Sequence, residues 1–343
     1  MEAQGDLLIT KNELDPALAA YRKALDSRPD LTAVHTAMIV ALMRASRPDE
    51  GAKQLEAMKK AAPGNPQTIY MDALLAYQKK NFTAAREIIQ QLVKAAPNSP
   101  QILELAGEID FQLKAYIQAE ANLAKAVQLA PDMPRARRFL SLTYLRTNQA
   151  AKALATMQPI ADKIGADPDM LSLLGEIYLQ NSEPETAEKY FSKALSLDPK
   201  DVVKRTSLAL THLRKGNGST SDAAFGELEQ IAATDMGTTA DLALISTLLT
   251  RNEIDKALKA IAALEKKLPE DPLPHYMRGR ALLVKKDVAG ARKSYEQALK
   301  LRPAYFPAAA ELAGLDLADK QPESAKKRFE AVIASDPKNT QAL

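Results

Sequence analysis

Prolines recur along this chain at a fixed interval. Pro29, Pro63, Pro97 and Pro131 are evenly spaced, Pro199 lies two such periods further on, and Pro269, Pro303 and Pro337 resume the same step. One interval departs from the rule: Pro199 to Pro269 is longer than two periods by a single pair of residues. A single hydrophobic core does not impose such a rhythm. A stack of like units does, because each unit leaves an apolar flank that its neighbour covers. Taking the prolines as unit ends divides the chain into ten repeats: 1–31, 32–65, 66–99, 100–133, 134–167, 168–201, 202–237, 238–271, 272–305 and 306–339. The whole of 1–343 reads as one array.

The pattern inside a unit is clearest from Pro168 to Asp201. Leu171, Leu174, Tyr178 and Leu179 recur at three- and four-residue steps, as do Ala187, Tyr190, Phe191, Ala194 and Leu195. That spacing predicts two amphipathic helices. Gly175 and Ala187 are small where a larger side chain would hold the two apart, and Asn181 to Glu185 supplies a turn with Pro184 opening the second helix. Leu171, Leu174, Gly175, Tyr178, Ala187, Phe191 and Pro199 fall at the spacing W-x2-L-G-x2-Y, A-x3-F and P, with Leu171 in the aromatic place. The unit resembles the tetratricopeptide repeat. The resemblance implies an all-α fold, a right-handed superhelical solenoid of about ten helical hairpins, with the first helix of each unit lining a concave groove.

Composition agrees with helices and excludes several function classes. Hydrophobic residues make up 46% of the chain and aromatics only 5%, with no Trp, which suits seams filled by Ala and Leu. The net charge of +3 gives no basic footprint for nucleic acid. With no Cys there are no disulfides and no thiolate chemistry. No apolar run approaches the roughly 18 residues that would span a bilayer. Glu2, Asp6, Glu13 and Asp15 near the N-terminus do not make a signal peptide. His35, His212 and His275 stand at packing positions, the carboxylates alternate with lysines, and no nucleophile, metal-ligand or cofactor spacing emerges. The chain reads as non-enzymatic, with no metal and no cofactor. The two surplus residues fall within Gly216-Asn217-Gly218-Ser219-Thr220-Ser221, a composition that predicts the most mobile loop of the array.

The resemblance assigns the second, fifth, sixth, ninth and twelfth positions of each unit to the groove. These include Tyr70 and Met71, Glu104 and Glu108, Arg135 and Arg138, Glu176, and Tyr276, Met277 and Arg280. The surface is aromatic and mixed in sign, suited to a protein or peptide ligand. The asparagines of the carboxylate clamp that tetratricopeptide domains use on chaperone C-termini are missing. Asp271-Pro272-Leu273-Pro274-His275, the run Arg302 to Ala309, Leu315 to Ala318 and Lys327 to Val332 resemble the tetratricopeptide lipoproteins associated with PEP-CTERM and exosortase sorting in Gram-negative bacteria. That narrower likeness, over residues 238 to 343, implies the periplasm and a role in exopolysaccharide assembly or protein sorting. The first unit begins inside its first helix and Thr340 to Leu343 would open an eleventh, so the chain is expected to be a piece of a longer array. A lipid anchor would then sit in the part ahead of residue 1. A cytoplasmic peptide-binding adaptor and a polysaccharide-binding solenoid are the alternative readings.

Overall fold

The computed structural model describes residues 2–216 and 218–337. Among them there are twenty α-helices and no strand. They fall into two compact units, residues 1–165 and 166–343. The first unit holds α1 (Glu2–Thr10), α2 (Leu14–Ser27), α3 (Thr32–Arg44), α4 (Pro48–Ala61), α5 (Pro66–Gln78), α6 (Phe82–Ala95), α7 (Pro100–Gln112), α8 (Tyr116–Leu129), α9 (Pro134–Arg146) and α10 (Ala150–Met157). The second holds α11 (Pro168–Gln180), α12 (Pro184–Leu197), α13 (Val202–Lys215), α14 (Gly218–Thr234), α15 (Thr239–Thr250), α16 (Ile254–Lys267), α17 (Pro272–Val284), α18 (Val288–Leu301), α19 (Phe306–Ala318) and α20 (Pro322–Ser335).

Helix starts follow local chemistry. Proline opens α4, α5, α7, α9, α11, α12, α17 and α20, where its missing N–H is not needed. The side chains of Asn65, Asn81, Asp167, Asp201, Asp271 and Asp287 each accept a backbone N–H of the first turn that follows. Such a cap contributes about 1 kcal/mol.

The turn inside each hairpin has a second signature, in the backbone. Asn12, Ser46, Lys80, Lys114, Asn148 and Ser182 follow one another at the period of the prolines, and all have φ between 57 and 64°. Gly216 continues the series at φ 70°, and Asn252, Lys286 and Lys320 carry it on. The residue after each of these left-handed residues other than Gly216 reaches back five positions, as when Asn81 N–H donates to Ala76 O and Glu183 N–H to Tyr178 O, each at 2.9 Å. This closes the helix with two otherwise orphaned carbonyls satisfied.

Close packing within a hairpin rests on a small residue facing a large one sixteen places later. A Cβ built on Gly175 would lie 2.8 Å from Phe191 Cδ1, and on Gly5, Gly107 and Gly279 it would overlap Tyr21, Leu123 and Tyr295. Glycine lets each of these rings or branches lie on the first-helix backbone, and burying each contributes about 1.5–3 kcal/mol.

One local expectation is corrected. Gly218 to Ser221 are helical, so the extra length of the seventh repeat lengthens α14 to 17 residues in place of forming an open loop; Asn217 lies outside the described residues. Gly216, left-handed, stops α13. In the fifth repeat Gly165 stands at the place of the closing proline and is left-handed at φ 61°, and the second helix before it ends early and continues as a 3-10 turn over Gln158–Lys163. Pro159 has no N–H for the α-helical ladder, which ends the α-helix at Met157. The residues Thr340 to Leu343, expected to open a further helix, lie outside the described residues.

Candidate functional site

In the first unit, α5, α7 and α9 bring together side chains far apart in sequence. Glu108 is 1% exposed and is held fork to fork by Arg135, Nε to Oε1 at 2.5 Å and Nη2 to Oε2 at 2.5 Å. Burial pushes the Glu108 carboxyl above the usual carboxylate range even though Arg135 opposes it, and burial raises Glu104 in the same way. The phenols of Tyr70 and Tyr77 are also raised by burial, with Glu108 adding to it. Gln112 Nε2 lies 3.5 Å from the Tyr77 hydroxyl. Arg138, one turn on from Arg135, is half-buried. Tyr70, Glu104, Glu108 and Arg135 thus form one constellation; Tyr77 belongs to it and was missed, although its seven-residue spacing from Tyr70 on a helix places both on one face.

Met71 is not part of that surface. It is 1% exposed and packs in the core with Ile39, Leu55, Met58 and Leu75. A sixth-position side chain in this repeat turns toward the preceding hairpin, where the apolar cluster draws it in.

In the second unit, the first helices α11, α13 and α15 border a groove of about 790 Å³. Glu176, Val203, Ser207, Ser246, Arg214 and Arg251 are among its lining residues. Val203 is 53% exposed, an apolar side chain left open to the groove. Arg214 Nη1 donates to Leu179 O at 2.8 Å, while Arg251 Nη2 donates to Ser221 Oγ at 2.9 Å with its guanidinium 4.9 Å from the Phe225 ring. Thr247 and Thr250 turn their hydroxyls back onto the carbonyls four residues earlier. Of these, only Glu176 was singled out from the sequence. The signal for the rest is the run of small hydroxyl residues, Ser207, Ser246 and Thr250, on three neighbouring first-helix turns where bulk would have filled the space.

Further along the second unit, Tyr276 lies 6.0 Å from Tyr295 and 5.9 Å from Tyr305 between ring centroids. Met277 packs, half-buried, on the cluster of Ile245, Ile261, Leu264 and Ala281. Arg280 is exposed. The histidines serve packing: His35 contacts Pro29 O through Nε2 at 2.8 Å and Gln54 through Nδ1 at 2.6 Å, and His212 Nε2 lies 3.2 Å from Glu188. Among the described residues no three or more His, Asp or Glu side chains converge as metal ligands, and no helix is long and apolar enough to cross a membrane. What the two walls offer is hydrogen-bond donors and acceptors, charge of both signs and apolar contact.

Comparison with known proteins agrees with this fold. Models described as tetratricopeptide repeat match residues 110–177 and 282–343, residues 242–306 and residues 168–201. A model described as anaphase-promoting complex, cyclosome, subunit 3, matches residues 10–126. No curated protein matches the chain. Among solved structures, yeast Tom70 is 16% identical with a TM-score of 0.60, covering 98% of this chain and 84% of that one. Human IFIT1, solved as a dimer with m7Gppp-AAAA, is 13% identical with a TM-score of 0.58, over 96% of this chain and 88% of its own. Pseudomonas aeruginosa pilF is 18% identical with a TM-score of 0.51, over 58% and 90%. At these identities the likeness is one of fold.

Proposed function

We propose that this chain, a tetratricopeptide repeat protein, acts as a non-enzymatic scaffold that holds polypeptide segments of partner proteins against its first helices. The observation that carries the reading is the groove of about 790 Å³ in the second unit, whose lining includes exposed Val203, Ser207, Ser246 and the two arginines Arg214 and Arg251. Its volume lies in the range of a site for a small ligand or a few peptide residues. The tetratricopeptide fold, matched by several family models, is typically a binding scaffold. The phrasing of residues 238 to 343 supports a finer reading, a periplasmic role in exopolysaccharide assembly or in sorting PEP-CTERM proteins.

The test is a binding assay with the proteins encoded beside this gene as prey. Val203→Asp places a charge in the groove and Ser207→Arg fills it; both positions are at the groove surface, so helical circular dichroism should be unchanged. Loss of one prey from both variants supports the scaffold reading. Retention of every prey, or a turnover activity in the purified chain, overturns it. Fractionation of cells expressing the natural gene product tests the location: recovery in the cytoplasm would favour an adaptor there.

A further inference from the structure

The outer sides of the second helices mostly carry several charges, as with Lys256, Lys259 and Lys266 on α16 or Lys293, Glu296 and Lys300 on α18, all exposed. On α8 the outward arc holds Ile117, Gln118, Ala121, Lys125, Gln128 and Leu129, with a single charge. At 100° per residue these six lie within about a third of the helix circumference. Ile117 is 82% exposed and Leu129 44%, and among the described residues no other second helix leaves two large apolar side chains open. The other charge of α8, Glu120, lies on a different side and is engaged by Lys152 Nζ and Gln149 Nε2, each at 3.4 Å. Opposite the open arc, Ala119, Leu123 and Ala126 are wholly buried. Single exposed apolar side chains are ordinary on a protein surface; the order of the residues around these two is not.

The arc reads nearly the same in both directions. Ile117, Gln118 and Ala121 stand six, five and two residues before Leu123, and Leu129, Gln128 and Lys125 stand six, five and two residues after it. A second α8 laid antiparallel about a two-fold axis at Leu123 sets Ile117 against Leu129, Gln118 against Gln128 and Ala121 against Lys125. The apolar pair leaves water, the two amides can each donate and accept, and the small Ala121 leaves room for the aliphatic stem of Lys125. A parallel pairing would instead set Lys125 on its own copy, like charge on like. Antiparallel helices also bring opposite dipole ends together. Such self-complementarity is what an interface between identical chains requires. On the following second helix, α10, exposed Ala151 and Ala155 are too small to hold two copies apart.

We propose that the outward face of α8 binds a second copy of this chain, with the two α8 helices antiparallel and Ile117 of each copy against Leu129 of the other. A contact built on one pair of helices is small, so the association is at the weak end of specific interfaces and depends on concentration. It uses a second helix and leaves the first-helix walls of both copies open, so it does not depend on the scaffold reading above. A partner carrying two target segments would gain from the doubled walls.

The test is sedimentation equilibrium of the full chain over a series reaching about 1 mM. The wild type is expected to pass from monomer to dimer with no larger species, because a two-fold contact closes on itself. Ile117→Glu is expected to weaken the dimer about tenfold or more, since the charge enters the interface twice, and to leave circular dichroism unchanged because the side chain is exposed. Adding Leu129→Lys to Ile117→Glu in the same chain is expected to restore a dimer that salt weakens, because the antiparallel register sets the new carboxylate against the new ammonium. Within one helix the two positions are about 18 Å apart and do not reach each other. The chain has no Cys, so a short thiol cross-linker reads the register directly. A mixture of Ile117→Cys and Leu129→Cys chains is expected to be joined, and neither variant alone. A wild type that stays monomeric throughout, including one whose α8 captures a different protein, overturns the proposal. So does a dimer that Ile117→Glu leaves equally tight, or joining of Ile117→Cys chains to one another. The scaffold reading stands in each of these cases, since no first helix is altered.

Discussion

Asp110 and Asp316 stand at the same repeat position, are both buried, and are shifted in opposite directions. Burial pushes each carboxyl upward. At Asp110 the opposition is weak: Arg86 Nε comes to 3.0 Å without the alignment of a hydrogen bond, and the second partner is neutral Asn122 at 2.9 Å. At Asp316, Arg292 donates at 2.5 Å and Arg328 at 3.2 Å, and together they outweigh burial and hold it below the usual range. The signs for stability follow. The Asp316 contribution is present above the ordinary aspartate pKa of about 3.9 and is lost as pH falls through its folded-state value. The Asp110 contribution is present below that ordinary pKa and is lost as pH rises through its raised one. Arg328 holds the place that Asn122 holds six repeats earlier, so Arg328→Asn should lift the Asp316 pKa and cost about 1–3 kcal/mol at neutral pH. Carboxyl NMR titration and urea unfolding read the two effects; an unmoved Asp316 would contradict this account. The aspartates were visible in the sequence, but the number of arginines meeting each was not, because the partners come from other helices.

A second residue-scale prediction concerns the left-handed turn positions. Lysine at φ 58–65° occupies Lys80, Lys114, Lys286 and Lys320. A left-handed conformation costs an L side chain about 1–2 kcal/mol, and glycine adopts it freely at some entropic cost in the unfolded chain. Lys80→Gly and Lys114→Gly should each raise stability by about 0.5–1 kcal/mol, seen as a higher urea midpoint. Lysine is not a turn residue by composition, which is why this backbone series was not legible from residue types alone, although its period is that of the prolines.

At the scale of elements, glycine acts by where it sits on a helix. Gly107 and Gly279 lie against Leu123 and Tyr295, whereas a Cβ on Gly314, inside α19, would meet nothing within 4 Å. Gly107→Ala and Gly279→Ala are therefore expected to destabilise by about 1–3 kcal/mol through overpacking. Gly314→Ala should stabilise by about 0.5–1 kcal/mol through helix propensity. Equal effects in denaturant unfolding would show that the close approach of the hairpin helices does not depend on the missing side chain. The Gly175 and Phe191 pairing could be read from spacing, since both lie in the best-preserved repeat. The length of α14 could not: residues 216 to 221 are rich in turn formers, yet the left-handed Gly216 confines the break to the start of that stretch.

At the scale of the whole molecule, the chain divides at Gly165, just after the 3-10 turn. Lys163 in that turn has a side chain 73% exposed. Limited digestion with trypsin is expected to cut there early and leave two protected helical fragments; a first cut inside any hairpin would contradict it. The division was not legible in a sequence whose period runs across it, because the closing proline is exchanged for glycine without any change of spacing. The groove was legible only as a set of positions. The repeat told which turns of the first helices face it, but the side chains that fill or vacate the space come from three successive hairpins.

The left-handed residues also act as a ruler. Ser182 to Gly216 is still one ordinary period, whereas Gly216 to Asn252 exceeds it by two, so the surplus pair lies wholly after Gly216. A protein engineer could splice a reporter or an entire folded domain directly after Gly216 and leave the register within every first helix intact. A single residue added inside a first helix would instead rotate all that follows in that helix by about 100°, turning its groove side chains into core and its core side chains into solvent.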